Sequence, residues 1–487
     1  MYIIVKVVII AAAISLFVWT AWQNFAPSGR LSARYEFDEI SPFITSLLPG
    51  GRALPIIRDA TGTPYQGMIG EPVYFRLRLP RRFDRVELEI RFQNQSQPIL
   101  EVGGLAARNP DVYDLRPLEN QILDALDWSE IYRDGLTLYQ RTPTFEHIDT
   151  FFAQLPPRNE IATYHARVET PFRIPGYTPD ERVQIIDRSL RGSHIFYAYV
   201  KNESLDVTFY VQDMNRDAGG DPVAINVFSD TMPVASIGES DDGRIGEREE
   251  AGETHPIHLV VPGLPEGAYR IEIRTTRDIF IRKIETRSKK FVILNELFLG
   301  DEAGYQSDDR PATVWTSGRL IRASTLHADG AQELMVGEEV LRIPESHQEY
   351  KRRVSGGTPT RLLSPQGDVM VRTNGYFAFS RDALFVPEPV RLAWDTDLDL
   401  EGINYILARY RPPVRHGDWK LASAEFDLTK LLWEDHAVPF AISAPGILEL
   451  QNEVRIGAIA AQLEREPQDI GALLKTLWQK LVRQLPQ

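Results

Sequence analysis

The hydrophobic pattern of this 487-residue chain starts with an almost continuous apolar run. The run extends from Tyr2 to Trp22 and is interrupted only by Lys6, Ser15 and Thr20. About 20 apolar residues in a helix span the hydrocarbon core of a bilayer. The sequence therefore predicts a transmembrane helix that anchors the rest of the chain.

A cleaved signal peptide or a buried soluble helix would also explain this segment. Signal cleavage needs small residues at −3 and −1 of the cut, yet cleavage after Ala21 would place Trp19 at −3. Trp19 and Trp22 are instead typical of the aromatic belt at a membrane interface. We therefore expect a retained signal-anchor within residues 1–26. The flanking charges barely distinguish the two orientations, and the soluble character of the remainder favours an extracytoplasmic domain.

Beyond the apolar run, strict alternation of apolar and polar residues predicts β-strands. In a first region, residues 30–175, the segments Val73–Leu79 and Val86–Phe92 both alternate and are separated by a short turn. The pattern predicts a hairpin, with outward Arg and Glu side chains pairing across the strands. Helical spacing of apolar residues predicts helical insertions at Pro117–Asp127 and Thr144–Leu155.

A second region, residues 188–300, contains several short alternating strands separated by Gly, Pro and Asp turns, which favours an antiparallel sandwich. Its segment GLPEGAYRIEI, Gly263–Ile273, resembles the tyrosine corner of immunoglobulin-like and fibronectin-like sandwiches. The resemblance implies that Tyr269 closes the turn into a late strand. It concerns architecture, and no function transfers with it.

A third region, residues 305–465, has long strands and a late AISAPG turn that resemble jelly-roll, galactose-binding-like modules. The final segment, residues 467–487, carries a leucine-rich stripe at helical spacing. We expect this amphipathic helix to pack on its own domain, with docking to a partner or a membrane as the alternatives. The predicted fold is mainly β: a transmembrane helix followed by two or three tandem antiparallel β-sandwich domains.

The composition excludes several kinds of chemistry. The chain has no cysteine, so disulfides, thiolate nucleophiles and zinc–thiolate sites cannot form. Its net charge of −14 repels phosphate backbones and argues against nucleic-acid binding. The sequence also lacks a serine-nucleophile elbow and a phosphate-binding loop.

The turn QDMNRDAGGDP supplies the strongest candidate for a metal site, because calcium prefers six to eight oxygen ligands. Ala218 and Ala224 stand where an EF-hand needs Gly and Glu, so the turn is not an EF-hand. A solvated hairpin loop is the simpler alternative. The candidate calcium ligands are Asp213, Asn215, Asp217 and Asp221.

A second acidic motif, WDTDLDLEG, places a carboxylate at every second position. On a strand these four side chains would share one face and repel one another, so the motif favours a loop or a cation site. A catalytic carboxylate pair is a further alternative. The four residues are Asp395, Asp397, Asp399 and Glu401.

Tryptophans of the third region could stack on sugar rings, and Trp394 and Trp419 are the candidates for a glycan-binding face. Packing in a sandwich core is the alternative for each of them.

These patterns resemble membrane-anchored bacterial surface proteins with immunoglobulin-like or jelly-roll domains. The resemblance implies a single-pass extracytoplasmic protein of the cell envelope that binds a glycan or a protein partner, or has a structural role. We expect no enzymatic activity. The alternative is a membrane-anchored glycan-active hydrolase that uses carboxylates of the third region.

Overall fold

The computed structural model describes residues 11–12, 15–16 and 29–465, except residues 109–110, 181, 217–218, 242, 244–250, 301–309, 328–329 and 355–358. Most of the predicted anchor Tyr2–Trp22 and all of segment 467–487 lie outside these residues. Among the residues that are described, no helix has both the length and the apolar character needed to cross a bilayer. The protein is mainly β, with several antiparallel sheets.

The described residues form 33 strands. In chain order they are β1 (Gly29–Tyr35), β2 (Ala53–Arg58), β3 (Pro64–Met68), β4 (Val73–Arg78), β5 (Arg85–Asn94), β6 (Ile99–Ala107), β7 (Val112–Asn120), β8 (Ser129–Arg133), β9 (Leu136–Gln140), β10 (Ile161–Tyr164), β11 (Gln184–Ile186), β12 (Leu190–Arg191), β13 (His194–Val200), β14 (Leu205–Asp213), β15 (Val223–Ser229), β16 (Met232–Glu239), β17 (His255–Val261), β18 (Gly267–Arg274), β19 (Ile279–Thr286), β20 (Phe291–Leu299), β21 (Ala312–Thr316), β22 (Leu320–Thr325), β23 (Gln332–Val336), β24 (Glu339–Ile343), β25 (Tyr350–Arg353), β26 (Thr360–Ser364), β27 (Val369–Ala378), β28 (Val390–Arg391), β29 (Tyr405–Ala408), β30 (Val414–His416), β31 (Trp419–Asp427), β32 (Ala437–Ser443) and β33 (Val454–Arg465).

Residues 11–12 and 15–16 are helical, and the described helices within residues 29–465 are short. They are α1 (Gln121–Asp124), α2 (Ile148–Ala153), α3 (Leu398–Glu401) and α4 (Ile447–Leu450), together with one 3-10 turn (Arg158–Glu160). The two helical insertions predicted from the sequence are therefore present as α1 and α2 but are shorter than predicted. The first is cut short because strand β7 runs through Asn120, whose side chain then caps α1 by accepting from Leu123 N–H.

The first and last described strands form one β-sandwich, which we call the terminal sandwich. One sheet has the order β2–β3–β33–β5–β31–β30, with β1 also paired to β33, and the other has the order β4–β32–β6–β7. Alternate residues of both sheets fill the space between them, and the rings of Phe75 and Phe440 stack there at 5.4 Å. The two ends of the described chain meet in this sandwich, because Gly29 lies opposite Arg465 in the β1–β33 register.

The predicted hairpin between β4 and β5 is wrong. Strand β4 pairs with β32 in one sheet, whereas β5 pairs with β31 and β33 in the other. Their apolar faces pack against each other across the sandwich, and Arg76 lies 3.4 Å from Glu434 rather than beside a glutamate of β5. Alternation specifies which face of a strand is buried, but it does not specify the neighbouring strand.

A five-stranded sheet, the middle sheet, has the order β28–β10–β29–β9–β8. Strand β10 is parallel to both of its neighbours, and the other pairs are antiparallel. Both faces are buried. Tyr139 and Ile406 pack with Leu123 on one face, while Leu138 packs with Phe151 of α2 on the other.

Strands β11 to β27 form two further sandwiches, the inner sandwiches. In the first inner sandwich, one sheet has the order β16–β15–β18–β13–β20. In the facing sheet, β14 pairs with β17 on one side and with β19 on the other, and β19 also pairs with β11 and β12. Strand β27 pairs with β20, β21 and β22 and so joins the second inner sandwich to the first. A single buried apolar cluster extends through both.

The chain path is nested rather than tandem. Residues 30–175 and 305–465 contribute strands to the same two sheets of the terminal sandwich and to the middle sheet. The inner sandwiches are inserted within the middle sheet, which is itself inserted within the terminal sandwich. This path differs from the expected tandem domains 30–175, 188–300 and 305–465, because pairing between distant strands leaves no trace in the local pattern.

The second region has the strands that its pattern predicts, including β13, β14 and β18, and the tyrosine-corner contact is present. Tyr269 on β18 donates from its hydroxyl to the carbonyl of Pro265 at 2.8 Å. The bond ties the turn to the strand that follows, as in other sandwiches with this corner.

Candidate functional site

Three buried aspartates from three separate segments meet at one end of the first inner sandwich. Asp213 ends β14, Asp221 precedes β15 and Asp278 precedes β19. One carboxylate oxygen from each lies within 4.8 Å of the other two. The three side chains are 9%, 4% and 1% exposed. We call them the aspartate cluster.

Strand register explains how Asp278 reaches this cluster. Strands β14 and β19 are antiparallel neighbours, and Asp213 lies opposite Ile279. Asp278, one residue earlier, is therefore placed beside Asp213. The backbone continues this link, because Met214 N–H donates to the carbonyl of Asp278 at 3.2 Å.

The turn after β14 wraps around the carboxylates. Asn215 has a positive φ of 51°, which asparagine tolerates better than most residues, and its N–H donates to Asp213 Oδ1 at 2.8 Å. The N–H of Arg216 donates to Asp278 Oδ2 at 2.5 Å. Asn215 is only 1% exposed, so its amide group is enclosed together with the carboxylates.

Asp221 is held from the other side. It accepts a hydrogen bond from the hydroxyl of Thr276, and its own N–H donates to Asp241 Oδ1 at 2.9 Å. Thr276 also accepts from the N–H of Asp278 at 3.3 Å. The hydrogen bonds of Thr276 thus connect two of the three aspartates.

The chemistry of this donor set fits a hard cation. Buried carboxylates a few ångströms apart repel one another strongly, and a divalent cation reverses that repulsion. Carboxylate and amide oxygens are the ligands that calcium prefers. The aspartate cluster and the side-chain oxygen of Asn215 are the groups that would hold such an ion.

The structure brings together three of the four predicted calcium ligands. Asp213, Asn215 and Asp221 surround the same buried turn, while Asp217 lies outside the described residues. Asp278 is not among the predicted ligands, because an isolated aspartate before a strand carries no sequence signal until the strand register is known. Metal binding at these residues stays a prediction.

The second acidic motif forms a loop followed by α3. Asp397 caps this helix by accepting from Leu400 N–H at 3.0 Å, and it pairs with Arg353 at 2.6 Å. The bond from Leu400, aided by Arg353, lowers the pKa of Asp397. Asp399 is exposed and pairs with Arg141. These two carboxylates therefore have structural partners.

The other two carboxylates of that motif, Asp395 and Glu401, line a cleft between the inner sandwiches and the middle sheet. Asp395 pairs there with Arg322 of β22. The motif thus separates into two solvent-facing ion pairs and two groups directed to a cavity, and sequence spacing alone does not distinguish them.

The two candidate tryptophans are half-buried and pack against glycines of the terminal sandwich. The ring of Trp394 lies where a Cβ on Gly446 would be, within 2.6 Å of that position. The ring of Trp419 occupies the corresponding space at Gly457, and the guanidinium of Arg91 lies over it at 5.2 Å. Each ring therefore contributes to packing, and glycan stacking on them stays a prediction.

Comparisons with known proteins give no family. No protein-family model matches the sequence, and neither does any curated protein. Among solved structures, the chain is similar to latent PorU from Porphyromonas gingivalis, at 11% identity and a TM-score of 0.17, over 63% of this chain and 33% of PorU. It is also similar to a structure of infectious bursal disease virus, at 9% identity and a TM-score of 0.14, over 91% of this chain and 82% of the viral chain.

A third similarity is to a protein of Sulfolobus turreted icosahedral virus, at 10% identity and a TM-score of 0.15, covering 73% of this chain and 99% of the viral chain. The chain spans about a third of the length of PorU. Similarities at these TM-scores carry no argument about function, so any functional conclusion depends on the residues of this chain.

Proposed function

We propose that this protein is a single-pass, membrane-anchored binding or structural protein of the bacterial cell envelope, with its β-sandwiches outside the cytoplasm. The observation that carries the proposal is the β1–β33 pair, in which Gly29 lies opposite Arg465. The described range 29–465 thus begins and ends at the same end of two paired strands of one sheet. An anchor at Tyr2–Trp22 would hold the fold at this end of the sheet and leave its other surfaces available to partners.

The nested chain path supports the same function. The inner sandwiches are joined to the rest of the fold through the middle sheet, not through the strands on which the described range begins and ends. A ligand or partner that contacts the inner sandwiches therefore binds a part of the molecule that is separated, along the chain, from the proposed tether. This arrangement suits a protein that presents a binding surface on a membrane.

Calcium is the cofactor that we propose for this function, held by the aspartate cluster. The cluster joins the end of β14 to the segments before β15 and β19, so a bound cation would lock both sheets of the first inner sandwich together. Extracytoplasmic modules commonly use calcium sites in the range of 0.1–1 mM affinity, about the concentration outside cells.

The location is tested by protease treatment of intact cells that carry the protein. We expect protease to remove the sandwiches from the cell surface and to leave a short membrane-bound fragment that contains Tyr2–Trp22. Permeabilised cells serve as the control for complete digestion. A protein that is released into the medium and begins near residue 22 or 27 would show that the segment is a cleaved signal peptide.

A glycan-active hydrolase on the same anchor is the second candidate function, because Asp395 and Glu401 lie in one cleft. Such enzymes use one protonated and one ionised carboxyl group. Incubating the purified protein with cell-wall and capsular polysaccharides tests this candidate. Release of reducing ends that disappears in Glu401→Gln would favour the hydrolase, and intact polysaccharide would favour binding.

A further inference from the structure

The cleft that contains Asp395 and Glu401 has a volume of about 510 Å³. Its walls come from both inner sandwiches, through β13, β18, β20, β22 and β27, and from β28 and α3 of the segment that returns to the middle sheet. Pockets for small molecules lie between about 300 and 1,000 Å³, commonly where layers of a protein meet. The cleft has the size and the position of a ligand site.

A local break in the sheet opens one wall of this cleft. Between β20 and β27 the register shifts after the pair Leu294–Tyr376, and pairing resumes at Glu296 with Arg372. Asn295 has a φ of 59°, and Thr373, Asn374 and Gly375 line the cleft where the ladder is interrupted. β-Bulges of this kind redirect side chains and are frequent beside functional sites.

The charges in the cleft differ from those of the whole protein. The protein has a net charge of −14, yet more guanidinium groups than carboxyl groups line this cavity. The guanidinium groups belong to Arg270, Arg319, Arg322 and Arg391, and the carboxyl groups to Glu388, Asp395 and Glu401. An anionic group is therefore favoured here, although the protein surface as a whole repels anions.

Most of these groups already have partners within the cleft. Asp395 pairs with Arg322, and Glu388 accepts a hydrogen bond from Tyr197 at 2.7 Å. Arg319 donates to the carbonyl of Leu400. Within the described part of the chain, neither Arg319 nor Arg391 has a carboxylate at ion-pair distance, and the side chain of Arg391 is exposed to the cleft opening.

Among the carboxyl groups that line the cleft, Glu401 has the least stabilisation from hydrogen bonds and ion pairs. Among the described residues, its Oε2 atom is buried without a hydrogen-bond partner. Burial raises the pKa of Glu401 to about 7, and the nearby carboxylates of Asp395 and Asp397 add to the rise, while Asn374 and Arg319 oppose it. Below about pH 7 the group is therefore mostly protonated and can donate a hydrogen bond.

We propose that this cleft binds an acidic saccharide unit, with Arg319 and Arg391 receiving its carboxylate and the Glu401 carboxyl group contacting a ligand oxygen. The proposal rests on the binding function proposed above and names its ligand class. Planar side chains such as Asn295 and Asn374 can pair with neighbouring hydroxyls, since an amide offers a donor and an acceptor side by side. Ile195, Leu294 and Val390 provide an apolar wall for the C–H face of a sugar ring.

A neighbouring groove extends the site beyond one sugar unit. It has a volume of about 1,120 Å³ and shares Asn159, Ser317 and Val386 with the cleft. Its walls combine Pro and Phe side chains with four cations, Arg158, Arg173, Lys290 and Arg381, and with one carboxylate, Asp382. Continued positive charge along this groove fits a saccharide with a carboxylate on each unit.

The test uses the full-length protein in mild detergent and isothermal titration calorimetry at pH 6. The probes are a trisaccharide of galacturonic acid and the matching trisaccharide of galactose, which lacks only the carboxylates. We expect the acidic trisaccharide to bind at least about tenfold more tightly, because charge-assisted hydrogen bonds to guanidinium groups are strong. Equal affinity for the two, or binding of neither by folded protein, would overturn the proposal.

Two variants locate the site. Arg391→Gln should weaken binding of the acidic trisaccharide about tenfold or more without lowering the melting temperature, since Arg391 is exposed. Arg82→Gln, at an exposed position of the terminal sandwich, is the matched control and should bind like the wild type. Unchanged affinity in Arg391→Gln would place the ligand elsewhere.

The pH dependence tests Glu401 separately. If only the protonated form binds the anionic ligand, affinity falls about tenfold between pH 6 and pH 8 for a pKa of about 7. Glu401→Gln keeps a neutral donor at every pH, so its affinity should stay constant. A wild type without pH dependence, or a variant that keeps it, would exclude this role. Cell-surface location is measured independently, so its failure would leave this result interpretable.

Discussion

At the scale of single residues, Asp278 changes the chemistry of the turn that follows β14. Without it, Asp213 and Asp221 are two carboxylates of one loop, a common arrangement. With it, one oxygen from each of three buried carboxyl groups lies within 4.8 Å of the other two. Repulsion among them opposes folding when no cation is present, and the same charges attract a cation when one is available.

Calcium should therefore stabilise the wild type and have little effect on Asp278→Asn. With a dissociation constant of about 0.1–1 mM, 10 mM calcium is about 10–100 times that constant and stabilises the folded state by about 1.4–2.7 kcal/mol, so it should raise the melting temperature of the wild type by a few degrees. In the presence of a chelator, Asp278→Asn should melt at or above the wild-type temperature, because one repulsive charge is gone. Thermal melting of the full-length protein measures both effects.

Asp134→Asn is the control for this experiment. Asp134 is a carboxylate whose side chain is 95% exposed, far along the chain from the aspartate cluster, so its loss should leave the calcium response intact. A wild type whose melting temperature does not change in millimolar calcium would return the turn after β14 to the solvated-loop interpretation.

Glu401 gives a second prediction at this scale. Its pKa is raised to about 7, above the value of about 4.3 for an unfolded chain, so the folded state binds more protons between these values. The stability contributed by this group is therefore lost as pH rises from about 4.5 to 7. Glu401→Gln does not titrate, and its melting temperature relative to the wild type should increase from pH 5 to pH 8. Parallel melting curves at all pH values would contradict the raised pKa.

At the scale of elements, the sequence predicts strands well and their partners poorly. The alternation in β14 and the turn before β18 correctly predict a strand and a tyrosine corner. Strand β16 is an edge strand whose residues are mostly exposed, so burial leaves little alternation in its sequence. The predicted β4–β5 hairpin is wrong because alternation shows only that each strand has one apolar face. It does not distinguish two strands of one sheet from two strands that face each other in opposite sheets. Asp278 could not be assigned for a related reason, since its position depends on the β14–β19 register.

Gly446 precedes α4 and packs against the ring of Trp394, a candidate ligand-binding residue. Gly446 has a φ of 82°, and a Cβ there would lie 2.4 Å from the ring of Trp394. Gly446→Ala should therefore lower the free energy of unfolding by about 2–4 kcal/mol, because backbone strain is combined with steric overlap. Gly263→Ala isolates the backbone strain, because Gly263 has a φ of 69° and no atom lies within 4 Å of the new Cβ. This variant should lower the free energy of unfolding by about 1 kcal/mol.

Denaturant unfolding of both glycine variants measures this difference, and Trp394→Ala introduced beside Gly446→Ala should recover part of the loss. Equal costs in the two glycine variants would show that Trp394 does not pack on α4, and its ring would then be free for a ligand.

At the scale of the whole molecule, the terminal sandwich depends on strands from both ends of the described chain. Strand β33 pairs with β1, β3 and β5, and it contributes Ile456, Ile459 and Leu463 to the buried core. The local pattern of β33 indicates a long strand but holds no information about these three partners. Long-range pairing is therefore the part of the fold that the sequence does not reveal.

Truncation tests the importance of β33. A chain that ends at residue 453 lacks this strand, and we expect limited trypsin digestion to cleave its terminal sandwich quickly while fragments of the inner sandwiches persist. A chain that ends at residue 465 keeps every described strand and should resist digestion like the full-length protein. Equal resistance of the two truncated chains would contradict the central position of β33.

The nested chain path also determines the order in which the strands of each layer become available during synthesis. Synthesis delivers the chain from its N-terminus, so β1 to β7 emerge before β31 to β33, and all strands of the inner sandwiches emerge in between. The edges of the early strands that pair with β32 and β33 stay unpaired until then, and unpaired edges favour aggregation. We therefore expect the inner sandwiches to be able to form first, while the terminal sandwich can close only after β33 has been synthesised.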